Sequence, residues 1–140
     1  MGRHLAWIAA AAVLVPTGAL ASQARPGLWS TTTTMSMNGG ANMPAQTHTA
    51  TFCMTPAEAT NPGPRPPNPG CTVQNIHNDG HTVSADMVCH GQMESTGHFS
   101  TTYDSDTHYR ATMSMAVNGM TMNNAIEGKW LKADCAGATH

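Results

Sequence analysis

Three pairs of methionines recur at i, i+2 in this chain: Met35 and Met37, Met113 and Met115, Met120 and Met122. In a β-strand that spacing puts both thioethers of a pair on one face. A two-residue hairpin turn at Asn118-Gly119 would set Val117 opposite Met120 and Met115 opposite Met122. Met113, Met115, Met120 and Met122 are therefore expected on a shared face. Clustered thioethers can hold Cu(I), a soft cation that prefers sulfur. The same side chains, flexible and polarizable, also suit an apolar ligand or fill an irregular core. His77 and His81 bracket the Asn78-Asp79-Gly80 turn and could converge on a metal. Histidine with methionine suits copper in either oxidation state, so copper stands first among the cofactors to be tested.

Catalytic signatures are missing from the sequence. It contains no H-E-x-x-H, G-x-S-x-G or G-x-G-x-x-G run. Asp104 and Asp106 sit together in a turn, where Asp is common for backbone reasons. The expectation is a protein that is not an enzyme. Its formal net charge is −2, with only 6 Lys and Arg. That excludes nucleic acid as an expected partner, because phosphate backbones require clustered cations.

The opening residues point to export. Arg3 and His4 form a short basic start, residues 5–15 are an unbroken apolar run, and Ala19-Leu20-Ala21 supplies a small-x-small cleavage pattern. Residues 1–21 are expected to be a cleavable signal peptide. The run is about half the roughly 20 residues a membrane-spanning helix needs, so no transmembrane anchor is expected after cleavage. Residues 22–140 then form a single β-rich domain in the periplasm or outside the cell. Its ordinary apolar stock is lean: beyond the leader Leu occurs only at Leu28 and Leu131, Ile at Ile76 and Ile126, and Phe at Phe52 and Phe99. Four cysteines in an exported chain, none in C-x-x-C spacing, read as two disulfides, worth about 2–4 kcal/mol each.

Period-two patterning and turn residues dominate the mature chain. Strands are expected over residues 27–37, 46–53, 71–77, 82–90, 97–103, 108–117 and 120–132. Asn38-Gly39-Gly40, Asn78-Asp79-Gly80, Asp104-Ser105-Asp106 and Asn118-Gly119 provide the turns. Thr55-Pro56-Ala57-Glu58 is a helix start, with Thr as cap, Pro in first position and Glu reaching back. Residues 61–70 form a Pro-rich loop that can hold neither helix nor strand. In the hairpin around Asn78-Asp79-Gly80, pairing at a residue-number sum of 160 puts Cys71 directly opposite Cys89, and a sum of 158 puts it one diagonal step away. This favours Cys71–Cys89 with Cys53–Cys135, while Cys53–Cys71 with Cys89–Cys135 stays open. The fold class is all-β and antiparallel, about seven strands, as a strongly curved sheet, open barrel or small sandwich.

Arg25-Pro26-Gly27-Leu28-Trp29, Cys53-Met54-Thr55-Pro56, Gly70-Cys71, Tyr109-x-x-x-Met113-x-Met115, Met120-Thr121-Met122 and Asp134-Cys135 form an ordered series. The series resembles the small exported proteobacterial proteins of domain of unknown function family 3617. The resemblance spans Arg25 to Cys135 and implies export, four cysteines and a β-rich fold. It implies no activity and therefore no catalytic residue. Two functional expectations remain. One is a small binding module for Cu(I) or an apolar ligand through the methionine cluster. The other is a structural or interaction protein of the cell envelope, with methionine as core filler and an envelope protein as partner.

Overall fold

The computed structural model describes residues 24–39, 43–60, 69–91 and 94–139. The expected signal peptide, most of the Pro-rich loop, Gly40 and His140 lie outside the described residues. Seven antiparallel strands follow in chain order: β1 (Gly27–Asn38), β2 (Gln46–Met54), β3 (Cys71–Asn78), β4 (Thr82–Cys89), β5 (Ser95–Ser105), β6 (His108–Val117) and β7 (Met120–Lys132), with one short helix, α1 (Pro56–Thr60), after β2. They make one sheet in the order β2-β1-β7-β6-β5-β4-β3. The edge strands β2 and β3 do not pair, so the strands form a single sheet that is not closed.

Local chemistry accounts for the turns. Asn118 and Gly119 both take positive φ, 49° and 77°, as a two-residue turn that follows the twist of its strands requires. Val117 then pairs with Met120 and Met115 with Met122. At α1 the Thr55 N–H donates to Glu58 Oε2 at 2.8 Å while Glu58 N–H donates to Thr55 Oγ1 at 3.3 Å. This reciprocal cap lets a five-residue helix persist. The strand pattern of β5 begins at Ser95, two residues earlier than the alternation around Gly97 suggests, because the Thr96–Ala116 and Ser95–Val117 pairs extend the ladder.

Alternation divides the sheet into two unlike faces. One carries threonine and serine, with hydroxyl pairs bridging strands at Thr32–Thr49, Thr34–Thr47 and Thr82–Thr102, each 3.2 Å. All the Asp, Glu, Lys and Arg side chains of the strands lie on this polar face or at the strand ends. The register puts Trp29, Phe52, Trp130, Tyr109, Tyr103, Ile126, Phe99, Val83 and the strand methionines on the opposite, apolar face. One strand imidazole shares that face: His48, exposed on the edge strand β2 opposite Thr33.

Both disulfides have the favoured pairing, Cys53–Cys135 and Cys71–Cys89. Cys71 lies directly opposite Cys89 in the ladder. The register then slips between Gln74 and His77, where Asn75 takes a φ of 53°. Cys53–Cys135 ties the C-terminal tail to β2, where Thr139 N–H donates to the Thr51 carbonyl at 3.0 Å. The tail thereby occupies part of an edge that would otherwise offer unpaired backbone groups. Disulfides of this kind belong to a non-cytoplasmic, oxidising compartment. Among the described residues no helix is long and apolar enough to cross a membrane.

Candidate functional site

The apolar face has two ends. At the first, Trp29, Met54, Tyr103, Ala24 and Ala59 of α1 form the buried core, with Phe52, Tyr109 and Trp130 against it. Trp29 Nε1 donates to the Arg25 carbonyl at 2.9 Å and Trp130 Nε1 to the Pro26 carbonyl at 3.1 Å. The segment before β1 is thus strapped over the aromatic rings by both indoles. The Tyr109 ring covers Gly128 so closely that any Cβ there would collide with it. Burial pushes the Tyr109 hydroxyl up to about 12, with Tyr103 beside it adding to the shift.

At the other end stand the methionines. Met37, Met122 and Met115 occupy consecutive places in one row across β1, β7 and β6, and the row continues through Gly97 to Met87. The neighbouring row runs Met35, Asn124, Met113, Phe99, and Met120 lies beyond. Seven methionines therefore share this end of the face. Met115 leans over Gly97, where an added Cβ would sit 3.0 Å from its Cγ. Met35 and Met120 are 38% and 43% exposed, and Met37, Met87, Met113, Met115 and Met122 are half-buried. Among the described residues no helix or strand lies across them.

Asn124 is the one polar side chain that β1, β7 and β6 place within this end. Its Nδ2 lies 4.0 Å from Met113 Sδ. A thioether only accepts, so the amide is oriented with its N–H toward sulfur. The carboxamide oxygen is buried and has no hydrogen-bond partner among the described residues. Leaving such an acceptor unpaired costs about 1–3 kcal/mol.

The sequence-predicted residues separate into two groups. Met113, Met115, Met120 and Met122 share the face and the end. The two histidines do not join them. The slip after Gln74 sets His77 opposite Ser84, on the polar face. His81 lies beside Tyr103, its carbonyl accepting from Tyr103 N–H at 2.8 Å. It precedes Met87 by six positions, roughly 20 Å along the strand at about 3.3 Å per residue. The register therefore does not bring His77 and His81 to the four methionines. Asn124 and Met87 belong to the site although no motif marks them. For Asn124 the signal is parity, since it alternates in phase with Met120 and Met122 on β7.

On the polar face His98 and His108 are held by carboxylates. His98 Nδ1 lies 2.8 Å from Asp86 Oδ1, and Asn75 Nδ2 donates to Asp86 Oδ2 at 2.8 Å. These two contacts hold the Asp86 carboxyl below its ordinary value, His98 first. His108 bridges Asp104 at 2.7 Å and Glu127 at 2.9 Å. Arg110, the larger influence, and His108 keep Asp104 low. Asp86, His98 and Ser114 stand opposite one another in register and line a shallow depression of about 430 Å³. This resembles an acid–base–hydroxyl row, but Ser114 makes no hydrogen bond to the imidazole. The neighbouring backbone N–H groups serve the ladder rather than an oxyanion. No group of three or more His, Cys, Asp or Glu among the described residues could hold a metal ion.

The family model described as "Protein of unknown function (DUF3617)" matches residues 24–135. The chain belongs to the DUF3617 family. The matched region begins at Ala24, buried in the aromatic core, and ends at Cys135 of the long disulfide. The DUF3617 match thus takes in both ends of the apolar face and both disulfides. No curated protein and no solved structure matches the chain.

Proposed function

We propose that this protein is a small periplasmic binding module, not an enzyme, and that its methionine-lined sheet end receives a neutral, apolar small molecule. One observation carries the reading: seven methionines share one end of a sheet face, and among the described residues that end has no Asp, Glu, Lys or Arg side chain of a strand and no covering element. A sheet apolar on one face gains by burying it against another layer. At the aromatic end α1 and the segment before β1 supply that layer. At the methionine end a ligand would supply it, and unbranched thioethers adapt to irregular shapes at little cost. Half-exposed methionines also argue against a role as core filler for an envelope scaffold.

Binding is tested with the disulfide-intact protein and an environment-sensitive alkyl fluorophore. Saturable binding is expected, weakened tenfold or more when Met35, Met115, Met120 and Met122 are all replaced by Thr. Unchanged affinity in that variant would sink the reading. Cu(I) is a second reading, favoured by the adjacency of Met37, Met122 and Met115 in one row across three strands. Replacing these three by Leu separates the two ideas, because Leu keeps the apolar surface and removes the sulfur. A Cu(I) site would lose its metal to a competing chelator in the Leu variant, while an apolar-ligand surface would keep its fluorophore.

A further inference from the structure

We infer that Asn124 is the polar anchor of the methionine-lined surface, and that its ligand is a neutral amphiphile with an apolar body and one hydroxyl or amide hydrogen-bond donor. The inference rests on the apolar-ligand proposal and specifies its chemistry.

Asn124 sits on β7, an interior strand of the sheet, with Met35 opposite on one side and Met113 on the other. Along its own strand the same face carries Met122 and Ile126. Every one of these neighbours is apolar, and leucine or methionine at position 124 would continue the pattern without an unpaired atom. The N–H side of the amide is turned to the Met113 sulfur. Its oxygen is left buried and unpartnered, and buried acceptors are paired in the great majority of folded proteins. A ligand that parts the flexible Met35 and Met113 side chains reaches this oxygen and meets an acceptor, which selects a donor. Among the described strand residues at this end of the face, a carboxylate would find no Lys or Arg and an ammonium no Asp or Glu. A neutral donor on an apolar body fits both the chemistry of this end and the unpaired oxygen of Asn124.

Decanol and decyl methyl ether test the assignment, because they share a chain and differ in the donor. The disulfide-intact protein should bind decanol about tenfold tighter than the ether, the scale set by leaving a buried acceptor unpaired. Asn124→Leu should bind both probes equally, with the ether's affinity unchanged or improved. Equal affinities in the native protein would overturn the anchor while leaving the apolar surface intact. A preference for decanol that persists in Asn124→Leu would overturn it as well. Binding of neither probe would remove the surface itself, and the anchor with it. The comparison within the native protein needs no variant, so the test survives a variant that does not fold.

Discussion

At the aromatic end of the apolar face Trp29 and Ala24 are 0% exposed, while at the methionine end Met120 is 43% exposed. The two ends share a ladder, a face and a strand set, and each contains a glycine under a large neighbour, Gly128 beneath Tyr109 and Gly97 beneath Met115. They differ in what closes them. Indoles carry an N–H that must be paired when buried, and here both indoles find carbonyls in the segment before β1. The rings thus capture a covering layer from the chain itself. Thioethers carry no donor and capture nothing, so their end stays open. Rigid aromatics build the half that holds the fold together, and flexible methionines build the half free to adapt.

Each end also has its own disulfide, and removing them separates the two contributions. Cys53→Ala with Cys135→Ala opens a link of sequence separation 82 next to the aromatic end, with an expected loss of about 4.5 kcal/mol. Trp29→Ala should cost about 3–5 kcal/mol, the range for emptying a buried indole site. Cys71→Ala with Cys89→Ala opens a link of separation 18 at the methionine end and should cost about 3 kcal/mol. Met115→Ala, half-buried, should cost only about 1–2 kcal/mol. Urea unfolding ranks all four. If Met115→Ala proved as costly as Trp29→Ala, the methionine end would be core and the contrast between the ends would collapse.

The pH limbs of stability divide along other lines. Tyr109 is pushed up to about 12 by burial, from the ordinary tyrosine value of about 10. Its contribution is complete below the unfolded value and is lost as pH rises from about 10 toward 12. Alkaline unfolding should therefore start at the aromatic end, and Tyr109→Phe should flatten that limb in a circular-dichroism titration. The polar-face carboxylates Asp86, Asp104 and Glu127 are held low in the fold. Their contribution is present above the ordinary carboxylate range and fades as pH falls through their depressed values. Asp104→Asn should shallow the acid limb and leave the alkaline one unchanged.

Much of this architecture is legible in residue patterns. The Asn118-Gly119 turn places four methionines on one face because a two-residue turn leaves a single register. Parity in one hairpin favours the Cys71–Cys89 pairing that the structure shows, without closing the sequential alternative. His77 defeats the same reasoning, since a bulge at Asn75 moves every later residue of β3 to the other face and no residue type there announces it. The unpaired oxygen of Asn124 is also hidden. Parity puts the residue among methionines, but only the positions of its neighbours reveal which of its atoms goes unmatched. Burial of the aromatic end depends on the indole bonds to Arg25 and Pro26, a contact between the start of the fold and its last strand that local patterning does not encode.

The most direct test labels the methionine methyls with carbon-13 and records their nuclear magnetic resonance shifts as decanol is added to the disulfide-intact protein. Met54, 8% exposed in the aromatic core, serves as the internal reference. An open, ligand-binding methionine end predicts saturable shifts for Met35, Met37, Met113, Met115, Met120 and Met122, with Met54 unmoved. Silence at the open end, or movement of Met54 as large as theirs, would contradict it.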